Sequence, residues 1–343
     1  MPTRPLAALT GGTGFVGSHL AEGLLAAGYR VRALVRRSSE ASWLAGLEVD
    51  LAGGDIRDPA SLAPFVAGAE LVVHAAGQTS ARSLADYRAS NSTGTRNLAD
   101  AVRTAGNPEA HVILVSSQAA AGPSPDGSPV RPEARGRPVS SYGWSKLEGE
   151  DEIRSSGLPF TILRPSAIYG PRETAIRDLF IAASYGFVPL LAGGAGRVQL
   201  VYVADVVGAV VAAAARGPRG ETLFVAHPEV LDYRLVAETL ARLRTPPAHL
   251  VPVPAALIRL AGVAVGLFSR FGKGPPVFND EKATEILQPA WLCDVTPTQA
   301  ALGNPLTTAF SEGAARTWDW YRSEGWLSGS GPRVRSARLR AVP

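Results

Sequence analysis

A glycine-rich turn near the N-terminus constrains the fold of this chain more than any other feature. The run Thr10-Gly11-Gly12-Thr13-Gly14-Phe15-Val16-Gly17 follows an apolar segment, Leu6–Thr10, and precedes a segment of helical length. Glycines here permit a tight turn, close approach of the backbone to a pyrophosphate, and close packing of helix on strand. The helix start adds free N–H groups and partial positive charge. The turn therefore predicts dinucleotide binding at Gly11, Gly14 and Gly17; the alternative is a glycine-rich turn without a ligand.

Short apolar runs alternate with helix-length segments from residue 6 to about residue 165. Such alternation indicates βαβ units, and nearly all-apolar strands such as Leu71–Val73 indicate a parallel sheet covered on both faces. We therefore predict an α/β fold with a Rossmann-like, doubly wound parallel sheet. The predicted strands are Leu6–Thr10, Tyr29–Val35, Glu48–Leu51, Leu71–His74, His111–Val115 and Phe160–Leu163, and the predicted helices are Phe15–Ala27, Pro59–Val66, Leu84–Ala105 and Tyr142–Ser156.

The alternation loosens after Pro165. We expect strands at Val198–Val203 and Thr222–Ala226, and helices at Asp205–Ala215, Tyr233–Leu243, 255–271, Thr298–Leu302 and Thr308–Glu324. Asp205 is interpreted as the N-cap of its helix. We assign residues 1–170 and 196–228 to the dinucleotide-binding domain, residues 171–195 and 229–327 to a smaller, mostly helical substrate lobe, and residues 328–343 to a flexible basic tail.

Charge and composition exclude several classes of protein. The net charge of +4 comes entirely from four arginines in the last eleven residues, and the rest of the chain is neutral. This charge pattern predicts no basic surface for binding nucleic acid. A hydrophobic content of 46% excludes a disordered chain. The single cysteine, Cys293, calls for no oxidising compartment, and neither a signal segment nor an apolar stretch of bilayer length is present. We expect a cytoplasmic protein without a membrane span or a metal site.

The end of the second predicted strand favours one dinucleotide. A free ribose 2′-hydroxyl is usually held by Asp or Glu about 20 residues after the glycines. Here the strand ends in Arg36-Arg37-Ser38-Ser39, and the first carboxylate is Glu40. Guanidinium groups bind phosphate through paired hydrogen bonds, so Arg36 and Arg37 predict NADP(H), with NAD(H) less favoured. The alternative is that both arginines only solvate the strand end.

A tyrosine and a lysine four residues apart form the candidate catalytic pair. Tyr142 and Lys146 share one face of a predicted helix, and the chain has only three lysines. A phenol has an ordinary pKa near 10 and is therefore a poor acid–base group at neutral pH, but a neighbouring ammonium favours the phenolate. Ser116 and Ser117 follow the fifth predicted strand, at the carboxyl edge where such sheets bind ligands. One of these hydroxyls can therefore orient a substrate oxygen toward the tyrosine.

Together these motifs resemble the extended short-chain dehydrogenase/reductase family, which includes nucleotide-sugar epimerases and dehydratases, dihydroflavonol reductases and 3β-hydroxysteroid dehydrogenases. The resemblance covers most of residues 6–327. It is carried, in order, by Thr10–Gly17, Gly54-Asp55-Ile56, His74-Ala75-Ala76-Gly77, Asn91-Ser92-Thr93-Gly94-Thr95, Val115-Ser116-Ser117, Tyr142 with Lys146, Arg164–Arg172 and Val201–Val207.

The resemblance implies roles for individual residues. It implies that Asp55 faces the adenine, that Asn91 supports the active site and that Ser117, rather than Ser116, is the catalytic serine. Tyr142 would exchange a proton with the substrate oxygen, while Lys146 would lower its pKa and hold the nicotinamide ribose. Further cofactor contacts are implied for Phe15, Val16, Ile56, Ala75, Ala76, Gly77 and Pro165. Structural alternatives stay open for Asn91, which could cap a helix, and for Asp55, which could begin a turn; His74 receives no catalytic role.

Three functions remain open at this point. The first is an NADP(H)-dependent oxidoreductase that interconverts a secondary alcohol and a ketone. The second is a nucleotide-sugar epimerase or dehydratase, but Ala167 stands where many nucleotide-sugar members have a ligand-binding asparagine, and the loss of such an anchor is costly. The third is a nucleotide-binding subunit without activity, which the Tyr142–Lys146 pair disfavours. The apolar segment Ala255–Phe271 favours a hydrophobic small-molecule substrate or is an ordinary buried helix, and the resemblance implies a homodimer through helices near residues 84–105 and 142–156.

Overall fold

The computed structural model describes residues 4–268 and 278–327. Its strands are β1 (Leu6–Thr10), β2 (Arg30–Val35), β3 (Val49–Gly53), β4 (Leu71–His74), β5 (His111–Val115), β6 (Phe160–Pro165), β7 (Ala167–Tyr169), β8 (Phe187–Leu191), β9 (Arg197–Val198), β10 (Leu200–Tyr202), β11 (Glu221–Val225), β12 (Leu231–Asp232), β13 (His249–Val253) and β14 (Ala290–Trp291). Its α-helices are α1 (Phe15–Ala26), α2 (Ala63–Val66), α3 (Leu84–Asn91), α4 (Thr93–Ala105), α5 (Gln118–Ala121), α6 (Ser141–Ser155), α7 (Arg177–Ser184), α8 (Val203–Arg216), α9 (Tyr233–Arg242), α10 (Ala255–Phe268), α11 (Asp280–Ile286), α12 (Thr296–Leu302) and α13 (Phe310–Ser323). The predicted tail, residues 328–343, and the predicted end of the 255–271 helix lie outside the described residues.

Seven parallel strands form the central sheet, in the order β11-β6-β5-β4-β1-β2-β3. Side chains alternate between its faces, since Ala7 and Leu9 pack with α1 and α8, whereas Leu6 and Ala8 pack with α2, α4 and α6. Both faces are therefore covered by helices, which confirms the predicted Rossmann-like, doubly wound fold.

The strand order reverses direction at β1. The chain runs from β1 outward to β2 and β3, then returns to place β4 on the other side of β1. Ligands of open α/β sheets bind outside the carboxyl ends of the strands at such a switch point. The turn after Thr10 and the segment after His74 border this crevice, because Thr10 and His74 are paired residues of β1 and β4.

A second core lies beyond the sheet, around α7, α9 and α13. Phe180, Leu240 and Tyr321 are buried in it, and the parallel pair β8–β13 covers one side. This pair was not predicted, because prolines such as Pro189 and Pro252 lower strand propensity. The segment from Cys293 to Leu306, which the sequence prediction assigned to the substrate lobe, packs into the same core as α1 and α8.

Three local predictions were wrong. Asp205 is not an N-cap: α8 begins at Val203, and the buried Asp205 carboxylate instead accepts hydrogen bonds from the Thr308 backbone N–H at 2.9 Å and hydroxyl at 2.8 Å. The helix predicted over Leu84–Ala105 is interrupted at Ser92, dividing it into α3 and α4. The strand predicted over Val198–Val203 is two strands, β9 and β10, in separate sheets.

Across residues 4–268 and 278–327, no helix combines the length and the apolar character that crossing a bilayer requires. The longest apolar helix in that part of the chain is α10, with 14 residues. At 1.5 Å per residue it extends about 21 Å, less than the roughly 30 Å of a hydrocarbon core.

Candidate active site

The glycine-rich turn leaves no room for side chains at two of its glycines. Gly11 has a φ of +75°, and a Cβ atom there would lie 2.7 Å from the backbone of Ala75 and Ala76. A Cβ atom at Gly17 would lie 2.0 Å from the Gly11 carbonyl oxygen. Gly14 is exposed and gives α1 no side-chain cap, so the N–H groups of the first turn face the crevice. This cradle fits a pyrophosphate, and the predicted contacts Phe15 and Val16 are the first two residues of α1.

The predicted adenosine end gathers three charged residues. Asp55 accepts hydrogen bonds from Arg57 at 2.7 Å and 3.2 Å, and these bonds hold the pKa of the Asp55 carboxyl below its ordinary value. Arg36 contributes to the same lowering of the Asp55 pKa and donates to Ser39 Oγ at 3.4 Å. Arg57 was not predicted; its only sequence signal is its place two residues after Asp55. The crevice edge therefore carries a cationic pair, Arg36 and Arg57, on either side of one carboxylate.

Arg37 is exposed beside Arg36, and Ile56 is buried beside Asp55. The Ile56 side chain packs against Gly94 at the start of α4, where a Cβ atom would lie 2.9 Å from it. Its carbonyl accepts a hydrogen bond from Asn97 at 2.9 Å. Ile56 thus fixes the loop after β3 to α4 and holds Asp55 at the crevice.

Buried His74 links the two strands that border the crevice. Thr95 Oγ1 donates to the Asn91 carbonyl, so it accepts from His74 Nε2 at 2.9 Å. With the ring proton on Nε2, Nδ1 accepts from Thr10 Oγ1 at 2.7 Å, and Thr10 Oγ1 also accepts from the Ala76 backbone N–H at 3.1 Å. Burial, with Lys146 adding, lowers the pKa of His74 to about 3. The imidazole is therefore neutral and links β1 and β4 to α4.

Asn91 continues this chain of hydrogen bonds to the catalytic helix. Its amide oxygen accepts from the Gln78 N–H at 2.7 Å, and its amide nitrogen donates to the Gln78 carbonyl at 3.0 Å and to Ser145 Oγ at 2.9 Å. Ser145 in turn donates to the Tyr142 carbonyl at 2.7 Å. Asn91 lies between the segment after β4 and α6 and leaves no amide atom without a partner. It does not cap a helix through its side chain; it fixes the backbone that presents Tyr142.

Tyr142 and Ser117 meet at the mouth of the crevice. Ser117 caps α5 by accepting from the Ala119 N–H at 3.1 Å, and its hydroxyl lies near enough to the Tyr142 phenol to act on the phenol's pKa. The Tyr87 ring lies beside Tyr142, with 6.0 Å between centroids. Burial raises the pKa of Tyr142 to about 12; the Ser117 hydroxyl opposes this rise, whereas Glu285 and Tyr87 add to it. Without a cofactor, the phenol therefore holds its proton.

Lys146 lies one helical turn below Tyr142 and points toward the end of β5. Its Nζ donates to the Val115 carbonyl at 2.9 Å, and burial lowers the pKa of the ammonium to about 8. A Cβ atom at Gly77 would lie 3.7 Å from Nζ, which places the His74–Gly77 segment directly beside the lysine. In this geometry the groups that act on the pKa of Tyr142 are Ser117, Glu285 and Tyr87. Lys146 is not one of these groups, so the expected lowering of the Tyr142 pKa by Lys146 is not found in this structure.

The two adjacent serines differ in their surroundings. Ser116 turns away from Tyr142 and donates to the buried Glu150 carboxylate at 2.6 Å. Glu150 also accepts from Arg164 at 2.9 Å and 2.7 Å and from Arg154 at 2.8 Å. This network lies beneath the site and was not predicted, because nothing in the sequence marks Glu150 as a buried residue. Of the two serines, Ser117 is the one that acts on the Tyr142 phenol.

Two glutamates from α11 hold the start of the catalytic helix. Glu281 accepts from the Ser141 N–H at 3.0 Å and from its hydroxyl at 2.5 Å, and Glu285 accepts from Ser140 Oγ at 2.5 Å. Negative groups are favourable at the positive end of a helix. These contacts connect α11 to the residues directly before Tyr142, and they were not predicted.

The ends of β5 and β6 carry polar atoms without a partner. Among the described residues, Gln118 Nε2 and Ser166 Oγ are buried and make no hydrogen bond. They directly follow Ser117 and Pro165, two of the predicted site residues, and Ala167 is exposed next to them. Buried polar groups are normally satisfied, so these atoms fit contacts with a bound ligand. Within the same ranges, no cluster of three or more potential metal ligands occurs.

Known proteins with this architecture are oxidoreductases and epimerases. The chain is 35% identical to a ceramide reductase from Caulobacter vibrioides, covering 94% of this chain and 96% of the relative. It is 30% identical to sterol demethylase protein B from Methylococcus capsulatus, covering 93% and 99%. The structure of DesIV, a dTDP-glucose 4,6-dehydratase from Streptomyces venezuelae with NAD bound, superimposes with a TM-score of 0.74 over 95% of this chain and 99% of DesIV, at 24% identity.

A family model defines the membership of the chain. The model of the NAD dependent epimerase/dehydratase family matches residues 7–226, which include the glycine-rich turn, Ser117, Tyr142 and Lys146. This family binds a nicotinamide dinucleotide, for which the cradle at the β1–β4 switch point is suited. The chain therefore belongs to the NAD dependent epimerase/dehydratase family and is an enzyme of the extended short-chain dehydrogenase/reductase type.

Proposed function

We propose that this enzyme is an NADP(H)-dependent oxidoreductase that interconverts a secondary alcohol and a ketone. The observation that carries the proposal is that Ser117 and the Lys146 ammonium both lie at the end of β5, with Tyr142 one helical turn from Lys146 on α6. When bound, the nicotinamide accepts or supplies the hydride. The residues Ser117, Tyr142 and Lys146 would then manage the proton and the charge on the substrate oxygen.

Each of the three side chains has a distinct task in this proposal. Ser117 donates a hydrogen bond to the substrate oxygen and orients it toward the phenol. Tyr142, which holds its proton in this environment, donates it to that oxygen in the reductive direction and takes it back in the oxidative one. Lys146 stays charged below a pH of about 8, and its proposed task is to hold the nicotinamide ribose beside the His74–Gly77 segment. Asn91 keeps Tyr142 in place through Ser145.

The preference for NADP(H) rests on the cations at the crevice edge. Arg36 and Arg57 flank Asp55, whose carboxylate is already neutralised by Arg57. A free carboxylate at this edge would repel a 2′-phosphate, whereas paired guanidinium groups bind one. We propose that Arg36 and Arg37 contact this phosphate, with Arg57 as a third cation that the sequence alone did not suggest.

A hydrophobic substrate is favoured by the relatives. The ceramide reductase and the sterol demethylase protein B both carry lipid names and both align over more than nine-tenths of this chain. Ala167 is exposed at the site and offers no polar anchor for a sugar nucleotide. We propose a lipid ketone or secondary alcohol as the substrate class.

A nucleotide-sugar epimerase or dehydratase is the second candidate. It is favoured by the close superposition on a dTDP-glucose 4,6-dehydratase over nearly the whole chain. The two candidates differ in cofactor behaviour: an oxidoreductase of the first kind exchanges its cofactor, whereas an epimerase retains it through a full cycle. The homodimer and the cytoplasmic location remain predictions from the sequence.

Turnover of lipid ketones by purified protein tests the proposal. NADPH oxidation is followed with 3-oxo lipids and simple ketones as separate substrates, and conversion of UDP- and dTDP-sugars is followed by product chromatography, because an epimerase or dehydratase consumes no cofactor. We expect turnover with a lipid ketone, its loss in Tyr142→Phe, and NADPH affinity in that variant within about threefold of wild type, because only the proton donor is removed. Tyr185→Phe, at a 64% exposed tyrosine, is the control. The second candidate would be favoured if cofactor co-purifies with the enzyme and the enzyme converts only nucleotide sugars.

Cofactor preference is tested separately. Arg36→Ala is expected to weaken NADPH binding by about 10- to 150-fold, because a hydrogen bond to a charged group contributes roughly 1.5–3 kcal/mol, and to leave NADH binding unchanged. Arg30→Ala, at the other end of β2, is the control and should affect neither. Equal affinity of the wild type for NADPH and NADH would refute the preference.

A further inference from the structure

An exposed apolar surface lies on α10, away from the glycine cradle. Leu257, Leu260 and Val263 recur at every third residue and therefore share one side of the helix. Their exposed fractions are 55%, 65% and 50%. A helix that is apolar on all sides is normally covered on all sides. Within residues 4–268 and 278–327, no part of the chain covers this side, which we term the α10 face.

The packed side of α10 determines how the α10 face points. Ile258 is buried, and Gly262 follows it one turn later on the same side. A Cβ atom at Gly262 would lie 2.8 Å from Ala283 of α11 and 2.9 Å from the Asn279 carbonyl oxygen. This close approach anchors α10 to α11 along a line of small residues. The leucines on the opposite side therefore point outward from the protein.

The sequence from residue 239 to residue 279 is basic, whereas the acidic residues Asp280, Glu281 and Glu285 lie on α11, at the packed side of α10. No Asp or Glu occurs between Glu238 and Asp280, whereas the same stretch contains four arginines and one lysine. Arg259 is exposed on α10 itself, between Leu257 and Leu260. Arg234 of α9 packs against the short turn at Gly194, which also contacts α10. Long basic side chains can place their charges among lipid headgroups while their stems cover apolar surface.

We propose that the α10 face docks on the surface of an anionic lipid bilayer. The helix is too short to span a bilayer, and an apolar helix face with basic residues at its border is suited to lie in the headgroup region. A second copy of the chain is disfavoured as the occupant. A two-fold contact through this face would bring each Arg259 toward the same basic stretch of its partner, and like charges oppose association.

The docked orientation would connect the membrane surface to the active site through two packed helices. Helix α10 packs on α11, and α11 holds Ser140 and Ser141 through Glu285 and Glu281. These serines directly precede Tyr142. The inference goes beyond the proposed reaction and does not depend on which alcohol or ketone is turned over.

Vesicle sedimentation with the full chain tests the inference. Wild-type protein is mixed with vesicles of phosphatidylcholine alone or with 30% phosphatidylglycerol, as a chosen probe composition, and the bound fraction is measured with increasing salt. The double variant Leu257→Glu/Leu260→Glu alters the α10 face at exposed positions where the fold should tolerate it. Leu51→Glu/Val230→Glu, at side chains exposed by 48% and 47% elsewhere, is the matched control for charge and for loss of apolar surface.

We expect wild type to bind anionic vesicles at least tenfold more tightly than neutral ones, with weaker binding at high salt. The α10 double variant should lose at least tenfold, and the control pair should stay within twofold of wild type. Arg259→Gln should weaken binding to anionic vesicles about fivefold, and Arg219→Gln, at an exposed arginine after α8, should not. Absence of vesicle binding, or binding that the α10 variant retains, would overturn the inference. So would sedimentation velocity showing that the variant only dissociates an oligomer.

Discussion

The Glu150→Gln substitution removes one negative charge from an enclosed ion pair beneath the active site. The side chains of Glu150 and Arg164 are 0% and 2% exposed, and their closest atoms are 2.7 Å apart. Arg164 also lies over the Phe224 ring, 5.6 Å from its centroid, so no water can replace the lost carboxylate charge. The variant leaves the Arg164 guanidinium buried without a full counter-charge, although a glutamine amide can still accept one hydrogen bond.

The expected cost follows from this geometry. Removal of one partner of a buried ion pair destabilises proteins by about 3–5 kcal/mol, because the remaining charge is uncompensated. With an unfolding entropy of about 2.1 cal/mol/K per residue, a chain of 343 residues has roughly 0.7 kcal/mol/K. The melting temperature of Glu150→Gln should therefore fall by about 4–7 °C. Glu152→Gln is the matched control on the same helix, because its partner Arg96 is 58% exposed and such pairs contribute below about 1 kcal/mol.

Differential scanning fluorimetry across pH gives the decisive measurement. Burial alone would raise the pKa of Glu150, but hydrogen bonds and charge from Arg164 outweigh it and leave the pKa lowered from the ordinary 4.5. The stabilisation is therefore complete above pH 4.5 and is lost as the pH falls through the lowered value. The gap between wild type and Glu150→Gln should narrow below pH 4.5. A melting temperature within 1 °C of the Glu152→Gln control at pH 7 would refute this reasoning.

Three further outcomes are expected. Gly17→Ala should lower NADPH affinity at least 100-fold in calorimetry, because its Cβ atom would overlap the Gly11 carbonyl oxygen. Gly14→Ala, whose Cβ atom would lie 3.4 Å from the same oxygen, should lose far less affinity. Equal losses would contradict the assignment of this turn as the pyrophosphate site. NADPH affinity should weaken as the pH rises through about 8, where Lys146 loses its proton, and Lys146→Met should remove this dependence in a fluorescence titration. Asn91→Leu should reduce kcat at least tenfold with a smaller change in KM, because the partly buried Gln78 backbone N–H, which donates to Asn91 in the wild type, would be left without an acceptor. An unchanged kcat would exclude a positioning role for Asn91.

The sheet could be predicted because local signals and tertiary packing agree there. Strands such as Leu71–His74 are apolar throughout and buried on both faces, so the sequence shows directly what the fold requires. The glycine-rich turn was equally informative, since two of its glycines have no space for a Cβ atom. Tyr142 and Lys146 were marked by their spacing on one helix, and the structure keeps them on that face.

The remainder of the site depends on contacts between residues far apart in the sequence. Glu150 differs little in sequence from Glu148 and Glu152, yet it alone of the three is fully buried, because the helix turns it toward Arg164. Glu285 reaches the catalytic helix from a segment more than 140 residues away. Asp205 resembled a helix cap because the position of Thr308 could not be known from local sequence. Local patterns predict elements, whereas these partners arise only from the folded chain.

The hydrogen bonds through His74 have one fixed direction from donor to acceptor. Each hydroxyl that touches the ring is already committed, since Thr10 donates to Nδ1 and Thr95 accepts from Nε2. A second proton on the ring would make Thr10 Oγ1 an acceptor from Nδ1 as well as from the Ala76 N–H, and the Thr10 hydroxyl hydrogen would lose its present acceptor. Because the folded pKa is about 3 and the ordinary value is 6.5, the neutral ring stabilises the fold fully above pH 6.5 and progressively less below it. Acid would thus act at Thr10, beside the cofactor turn, and leave unchanged the bond from Nε2 to Thr95 that leads to Asn91.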